Sequence, residues 1–246
     1  DLQARYAARL RDLEARFAAA RASAAEEEAT ALAAARQAYQ GAAEATVAGV
    51  EALLQHSALT PLLAPWDAPL WAAYAPPPED APIPEGLRIG ELRAETGETA
   101  PPLRLPLLVP FLRRGSLFLR GPDPDALRRL LQALLLRLVV TLPPGRLRLN
   151  LADPLGMGVH LSAFLRLPDA LRGDKVCSRP EEIAHQVQAL EAHLESVLQT
   201  RLQNLYPDVE AYNAQAGELA VPYHVFALTD FPAGCDERTA AGLVRL

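Results

Sequence analysis

The residues from Gly121 to Arg128 lie where a phosphate-binding loop would do chemistry. The sequence predicts a strand over 116–120 before them and an amphipathic helix over about 125–140 after them. At such a junction the pattern G-x-x-x-x-G-K-[ST] binds polyphosphate through backbone N–H groups and the Lys, and binds Mg²⁺ through the Ser or Thr. Only the first Gly of that pattern is present, and the other three positions are taken by Ala126, Leu127 and Arg128.

The residues inside this loop oppose phosphate binding. Pro122 and Pro124 carry no backbone N–H, and Asp123 places negative charge where the phosphates would lie. Lys175 is the single lysine of the chain and has no glycine-rich segment before it, so a lysine-bearing loop elsewhere is excluded. The loop therefore predicts no nucleotide hydrolysis. The same residues also fit a simple helix start, with an Asp cap and a Pro in the first turn.

Other residue types that carry chemistry form no specific pattern. The histidines form no H-E-x-x-H motif, and His185 and His193 are too far apart on one predicted helix to share a metal, so no metal site is predicted. Residues 156–158 are Gly-rich and predicted to form a turn. Cys177 and Cys235 lack a C-x-x-C spacing, and both free thiols in a reducing compartment and a single disulfide are compatible with them.

A long helix is predicted at the start of the chain. No proline occurs before Pro61, and apolar or small residues recur every three or four positions, as at Tyr6, Leu10, Leu13 and Phe17. This roughly heptad period favours a coiled coil over residues 1–57, and self-association through it. An Ala-rich helix that packs along its own domain is the alternative.

A Pro-rich connector follows over residues 58–106. Its prolines break any helix, and alternating apolar and polar residues predict a short strand at about 86–93. Three aromatic residues are expected to dock the connector onto the globular part of the chain. They are Trp66, Trp71 and Tyr74.

Residues 107–246 are predicted to form that globular part. Besides the strand and helix around the loop, the sequence predicts strands at 147–152 and 223–229 and a long helix at about 180–205. Strands that alternate with helices indicate an α/β fold with a parallel sheet.

The order of these elements resembles the motor domain of the FtsK/SpoIIIE group of DNA translocases, in the FtsK–HerA branch of RecA-like ATPases. The resemblance runs from about Ser116 to Gly234, roughly half of the chain. It depends on three short motifs in a given order, which here are Asp153-Pro154, Tyr212-Asn213 and Pro222-Tyr223. It implies a RecA-like parallel sheet flanked by helices, preceded here by the long coiled-coil helix.

The same resemblance implies where a nucleotide site would lie. A degenerate nucleotide-binding loop would comprise Gly121, Ala126, Leu127 and Arg128. A Walker B-like end would comprise Asp230, which could contact Mg²⁺, and Phe231, which stands where the family has the catalytic Glu. This fragment is therefore expected to have no catalytic residue and no cofactor, with ATP and Mg²⁺ bound in a full-length parent.

The expected function is a non-hydrolysing module that serves oligomerisation, regulation or docking in a larger DNA-translocating ATPase, with an active P-loop domain after residue 246. Two alternatives stay open: a coiled-coil structural or adaptor protein without a motor, and a degenerate ATPase module of a type VII-like secretion motor. The net charge of −6 argues against non-specific nucleic-acid binding by the whole fragment, so DNA would be contacted through the parent. No signal peptide or membrane-spanning segment is visible, and a cytoplasmic location without membrane insertion is expected.

Overall fold

The computed structural model describes residues 2–54, 60–94, 103–112, 115–203, 205–216 and 220–246. The chain divides into two units, residues 1–56 with 91–105 and residues 57–90 with 106–246. None of the helices in these described ranges is long and apolar enough to cross a membrane.

Helix α1 spans Leu2–Leu54 without a break, as the Pro-free and Ala-rich sequence predicts. At a rise of 1.5 Å per residue it is about 80 Å long. The apolar stripe predicted for a coiled coil is exposed, with Tyr6 72% and Phe17 73% accessible to solvent. Burial of this stripe therefore requires a surface outside the helix.

A two-stranded sheet pairs β1 (Gly86–Ala94) with β2 (Leu103–Pro110). The sequence predicts β1 by its alternation, but it does not predict β2. Pro106 and Pro110 argue against a strand at the level of sequence, because proline removes a donor from a β-ladder. In a two-stranded sheet both strands are edges, where proline is tolerated.

The Pro-rich segment docks onto α3 (Pro124–Thr141) through its aromatic residues, as the sequence predicts. Tyr74 donates a hydrogen bond from its hydroxyl to the carbonyl of Val140 at 2.9 Å. The guanidinium of Arg137 lies over the ring of Trp66, 4.0 Å from the ring centroid. The segment itself contains α2 (Thr60–Leu63) and a 3₁₀ helix (Pro69–Ala73).

Three parallel strands form the central sheet in the order β4-β3-β5, with β3 at Leu147–Ala152, β4 at Arg172–Cys177 and β5 at Tyr223–Leu228. Strands β3 and β5 pair in continuous register along their full length. The predicted parallel α/β sheet is thus confirmed. The sequence does not predict β4, because residues 172–175 are polar or Gly and show no apolar alternation.

Helices cover both faces of this sheet. On one face, Leu135 of α3 belongs to a buried cluster with Leu149 of β3. On the other face, Ile183 of α4 (Pro180–Val197) belongs to a second cluster, against which Phe226 of β5 packs. Because successive strand residues point to opposite faces, each strand contributes to both layers.

The long helix predicted over 180–205 ends earlier, at Val197. A π-helical turn follows at Leu198–Leu202, in which the N–H of Gln203 donates to the carbonyl of Leu198. The wider turn shifts the buried face, so Val197 and Leu202 are buried while Leu198 is half exposed. Four further helices were not predicted: α5 (Val209–Ala216), α6 (Glu237–Arg245), and 3₁₀ helices at Val159–Arg166 and Asp169–Leu171.

The strand predicted over 116–120 is wrong. Residues 115–121 are extended but belong to neither sheet, and within the described ranges no backbone hydrogen bond joins them to another segment. Leu117 and Leu119 still pack against the core. A cavity of about 470 Å³ lies between this segment and β5. This cavity, the β5 cleft, is lined mainly by residues 116–121, one side of α3 and residues 225–231.

Candidate functional site

Polar side chains from several elements meet at the carboxyl edge of the parallel sheet. Asp153 directly follows β3, and Thr229 and Asp230 directly follow β5, so parallel pairing brings them together. His160 comes from the loop region after β3, and Arg128 comes from the start of α3. These five residues are named the carboxyl-edge cluster.

Asp153 is the buried centre of this cluster, with 0% of its surface exposed. Its Oδ1 accepts hydrogen bonds from Thr229 Oγ1 at 2.7 Å, from the N–H of Gly156 at 3.1 Å and from His160 Nδ1 at 3.0 Å. Its Oδ2 accepts a hydrogen bond from the backbone N–H of His160 at 3.0 Å. Both oxygens of this carboxylate are thus engaged by the protein.

These hydrogen bonds decide the ionisation of Asp153. Burial alone would raise its pKa, but the hydrogen bonds from His160 and Thr229 outweigh burial and hold the pKa below its ordinary value. Asp153 is therefore a carboxylate at neutral pH. Only glycine fits at position 156, because a Cβ there would overlap the ring of His160 and press against the carboxylate of Asp153.

Arg128 and Asp230 form an ion pair beside this centre. Arg128 Nη2 donates to Asp230 Oδ1 at 3.1 Å, and Arg128 Nη1 donates to Asp125 Oδ1 at 2.7 Å. The side chains of Arg128 and Asp230 are only 23% and 15% exposed, so solvent screens this pair less than a surface ion pair. Asp230 Oδ2 is buried and has no hydrogen-bond partner within the described ranges. Asp230 therefore depends on Arg128 for its charge balance.

The N-terminus of α3 is closed by the chain's own carboxylate. Asp123 Oδ1 accepts hydrogen bonds from the N–H of Asp125 at 3.0 Å and from the N–H of Ala126 at 3.1 Å. Pro124 has no N–H, and the N–H of Leu127 donates to the carbonyl of Asp123. The backbone donors that a bound phosphate would use are thus occupied or missing.

The other residues predicted for the site lie around the ion pair. A Cβ on Gly121 would lie 3.5 Å from Leu127 Cδ2, an ordinary contact, so the backbone does not require glycine there. Phe231 is 44% exposed, and its ring meets Phe118 edge to face with 6.1 Å between the centroids. The ion pair therefore joins the loop half and the β5 half of the predicted site, while Phe231 faces another aromatic ring.

The cluster does not fit a nucleotide with Mg²⁺. One ligand atom each from Asp153, His160 and Asp230 lies within 4.8 Å of the others, close enough to share a cation. However, both oxygens of Asp153 already accept protein hydrogen bonds, and Arg128 already neutralises Asp230. Asp230 Oδ2 has no hydrogen-bond partner within the described ranges, but the charge of Arg128 on the same carboxylate opposes a second cation there. Leu127 offers no charge to a phosphate.

The sequence predicted Arg128 and Asp230 for this site but not Thr229 or His160, and Asp153 was named only as part of a family motif. His160 belongs to no spaced motif, and the turn at 156–158 gave no sign that its glycine supports a carboxylate. The sequence does contain a signal for Asp153 and Thr229. Asp153 and Thr229 each directly follow a strand, and the carboxyl ends of neighbouring parallel strands meet at one edge.

Asn213, from one of the motifs that carried the family resemblance, has a structural role. Its side-chain amide accepts a hydrogen bond from the N–H of Val221 at 2.7 Å and donates one to the carbonyl of Val221 at 2.8 Å. This pairing fixes the chain just before β5. Tyr212 packs edge to face against Tyr206, with 5.4 Å between the ring centroids. These contacts of Tyr212 and Asn213 lie outside the carboxyl-edge cluster.

Comparison of the chain with family models, with curated proteins and with solved structures finds no match to any of them. The function therefore has to follow from two physical features. One is the carboxyl-edge cluster, in which the charges of the chain satisfy one another. The other is the exposed apolar stripe of α1.

Proposed function

We propose that this chain is a non-hydrolysing module of the FtsK/SpoIIIE kind, with a RecA-like α/β domain joined to a coiled coil. It serves oligomerisation, regulation or docking in a larger DNA-translocating ATPase of the cytoplasm. Other domains of that parent bind ATP, Mg²⁺ and DNA.

One observation carries this proposal: the chain's own charges occupy the places that ligand charges take in a phosphate-binding loop. The carboxylate of Asp123 lies on the N–H groups at the start of α3, where a phosphate would lie. The guanidinium of Arg128 lies on Asp230, where a cation would lie. Both ends of the site are therefore neutralised without a ligand.

We expect the purified chain to bind no ATP and to release no phosphate above background. The reason is that binding would require the loss of the Asp123 cap and of the Arg128–Asp230 ion pair, with no lysine to replace them. A fluorescent ATP analogue titrated with Mg²⁺ into the millimolar range should give no saturable signal. A coupled phosphate-release assay should match the rate without protein.

Two variants make this negative result informative. Turnover by the wild-type chain that disappears in Asp230→Ala, but not in the exposed-site control Asp174→Ala, contradicts the proposal. Saturable binding by the wild-type chain that disappears in Asp230→Ala contradicts closure of the site by the ion pair. The control substitution lies in β4, where Asp174 is exposed.

We further propose that α1 self-associates through its apolar stripe. Leu13 is 58% exposed and Phe17 is 73% exposed, and both are large enough to insert between the side chains of a facing helix. The double substitution Leu13→Asp and Phe17→Asp is expected to reduce the mass measured by light scattering to that of one chain. The introduced carboxylates would be buried without partners if the stripes of two helices packed together.

The matched control places the same charges on the opposite side of the helix. Ala15→Asp with Ala22→Asp lies roughly half a turn away from the stripe, so it should leave the mass unchanged. A wild-type chain that is already monomeric contradicts self-association. The same conclusion follows if the stripe variant keeps the wild-type mass.

A coiled-coil structural or adaptor protein without a motor is the second candidate function, favoured by the same exposed stripe. A degenerate module of a type VII-like secretion motor is a variant of the first. The reading frame beyond residue 246 separates them. A G-x-x-x-x-G-K-[ST] loop in the next domain supports a motor, and a stop codon supports the adaptor.

A further inference from the structure

The middle segment of α1, residues 8–39, is exposed at every position. At a rise of 1.5 Å per residue this segment is about 48 Å long. The large apolar side chains of its stripe lie in two groups: Leu10, Leu13 and Phe17, and then Leu32 and Tyr39. All apolar residues between the two groups are alanines. The stripe therefore has two bulky ends and a narrow centre near residue 25.

The charges of this segment are divided between its two halves. Residues 8–22 carry four Arg and two acidic residues, whereas residues 23–39 carry three Glu and one Arg. Four charged residues flank the stripe, and in the described part of the chain none of them forms an ion pair: Glu14, Arg21, Glu28 and Arg36. A partner of complementary charge therefore presents an acidic face to the first half and a basic face to the second.

A second copy of α1 has this order of charges when it runs in the opposite direction. If residue 25 of each helix lies at the centre of the pair, the basic half of one helix lies along the acidic half of the other. Arg21 then lies beside the partner's Glu28, and Glu14 lies beside the partner's Arg36. Both pairs occur twice in a symmetric dimer. Charged residues beside the seam of a coiled coil set the orientation of its helices.

Side-chain size favours the same direction. In the antiparallel arrangement Phe17 lies opposite the partner's Ala35, and Leu32 lies opposite the partner's Ala20. Large residues then face small ones, which keeps the spacing of the helices even and fills the seam. In a parallel pair in register each residue of the stripe meets its own copy, so the spacing is wide at Phe17 and narrow at Ala20.

Charge opposes the parallel arrangement. In register, a parallel pair brings Arg16, at heptad position g, beside the partner's Arg21, at position e. It also places residues 26–28, which are all Glu, alongside the same three residues of the partner. Of the flanking charges only Arg9 gains an opposite charge, from the partner's Glu14. Like charges at such short range repel, so the parallel pair is the less stable one.

We propose that α1 pairs with α1 of a second copy of this chain as an antiparallel coiled coil centred near residue 25. This inference rests on the self-association proposed above and adds the direction and the register of the pair. The carboxyl-terminal ends of the two helices, at Leu54, then lie roughly 90 Å apart, whereas a parallel pair holds them side by side. The two chains therefore leave the coiled coil at opposite ends.

Reversal of one charge beside the seam separates the two directions by the sign of its effect. Arg21→Glu places a carboxylate beside the partner's Glu28, so we expect it to raise the dissociation constant of the dimer about tenfold in sedimentation equilibrium. Glu28→Arg added to Arg21→Glu should restore the wild-type constant. In a parallel pair Arg21→Glu would instead remove repulsion from Arg16 and lower the constant. Arg11→Glu makes the same charge change at an exposed position off the stripe and should leave the constant unchanged.

Disulfide cross-linking measures the direction independently. The two free thiols are first removed by Cys177→Ala and Cys235→Ser, and Ala20→Cys and Leu32→Cys are then made in separate chains. Oxidation of an equal mixture should link one variant to the other, because the two positions face each other. Neither variant should cross-link alone, since the two copies of position 20 lie about 18 Å apart along the antiparallel pair and a disulfide spans Cα atoms no more than about 7 Å apart.

The outcomes distinguish this proposal from self-association itself. A dimer in which Ala20→Cys cross-links alone is parallel, which overturns the antiparallel register and leaves self-association standing. A dissociation constant that Arg21→Glu lowers or leaves unchanged overturns the register in the same way. A wild-type chain that is monomeric overturns both proposals and assigns the stripe to a helix of another polypeptide.

Discussion

Replacing Asp153 with alanine is expected to lower the free energy of unfolding by about 3–5 kcal/mol. The substitution removes the acceptor for four donors inside the sheet edge: the hydroxyl of Thr229, the N–H of Gly156, and both the N–H and ring Nδ1 of His160. The Thr229 hydroxyl is then left buried without its partner, and the partly buried donors of Gly156 and His160 lose theirs. Urea unfolding followed by circular dichroism measures the change.

Two comparisons isolate the role of the Asp153 carboxylate. Asp174→Ala, at an exposed position in β4, should change the free energy of unfolding by less than about 0.5 kcal/mol. Because the folded-state pKa of Asp153 is depressed, its charge stabilises the protein above the ordinary carboxyl pKa of about 3.9. That contribution is lost as the pH falls through the folded-state pKa. The alanine variant should lack this part of the acid sensitivity. A loss below about 1 kcal/mol at neutral pH would show that the donors find other partners.

Replacing Arg137 with methionine is expected to lower the free energy of unfolding by about 2–4 kcal/mol. Arg137 is 2% exposed, and its Nη1 donates to the carbonyls of Pro61 at 2.8 Å and Ala64 at 2.7 Å. Its guanidinium also lies over Trp66. Burial, with a smaller contribution from the charge of Arg88, lowers the pKa of Arg137 to about 10, so it is still charged at neutral pH. Methionine keeps much of the side-chain volume but leaves both carbonyls unpaired.

Tryptophan fluorescence reports on this change directly. Both tryptophans of the chain lie against Arg137, with 4.0 Å and 5.6 Å from the guanidinium carbon to the ring centroids of Trp66 and Trp71. The emission of the variant should shift to the red as the docked segment loosens. Arg129→Met, at an exposed position on the same helix, is the control and should change neither emission nor stability. A variant as stable as wild type contradicts the role given to Arg137.

Several elements could be predicted from the sequence because each has a strong local pattern. Helix α1 has no proline and much alanine, α3 follows an Asp–Pro start, and β3 and β5 are apolar runs between turns. The parallel pairing of β3 with β5 also followed from the alternation of strands and helices. In each case local propensity and tertiary burial favour the same structure.

Other elements depend on neighbours that are distant in sequence. Strand β4 is polar for four residues and becomes a strand because β3 offers it a ladder. Residues 116–120 have strand alternation, but among the residues that the structure describes they make no backbone hydrogen bond to another segment, and they remain outside the sheet. The π-turn after Val197 changes which side chains are buried, and no pattern of period 3.6 predicts it.

The candidate site, too, could be predicted only in part from the sequence. Asp230 and Arg128 could be named from their positions in a motif, but their ion pair could not, because the two residues are 102 positions apart. The burial of Asp153 and the contact with His160 depend on how the loop after β3 folds back, which Gly156 permits. Chemistry that needs a spatial neighbour is therefore the part that a single sequence does not reveal.

The hydrogen bond between Thr229 and Asp153 makes the folding of this α/β unit depend on a late event in synthesis. The two residues are 76 positions apart, and β3 and β5 are separated similarly along their whole register. Closing so long a loop slows folding, because its entropy is lost before the strand contacts are gained. During translation β3 leaves the ribosome well before β5, with its apolar edge unpaired. That interval, rather than the finished fold, is when this protein is most exposed to wrong strand pairing.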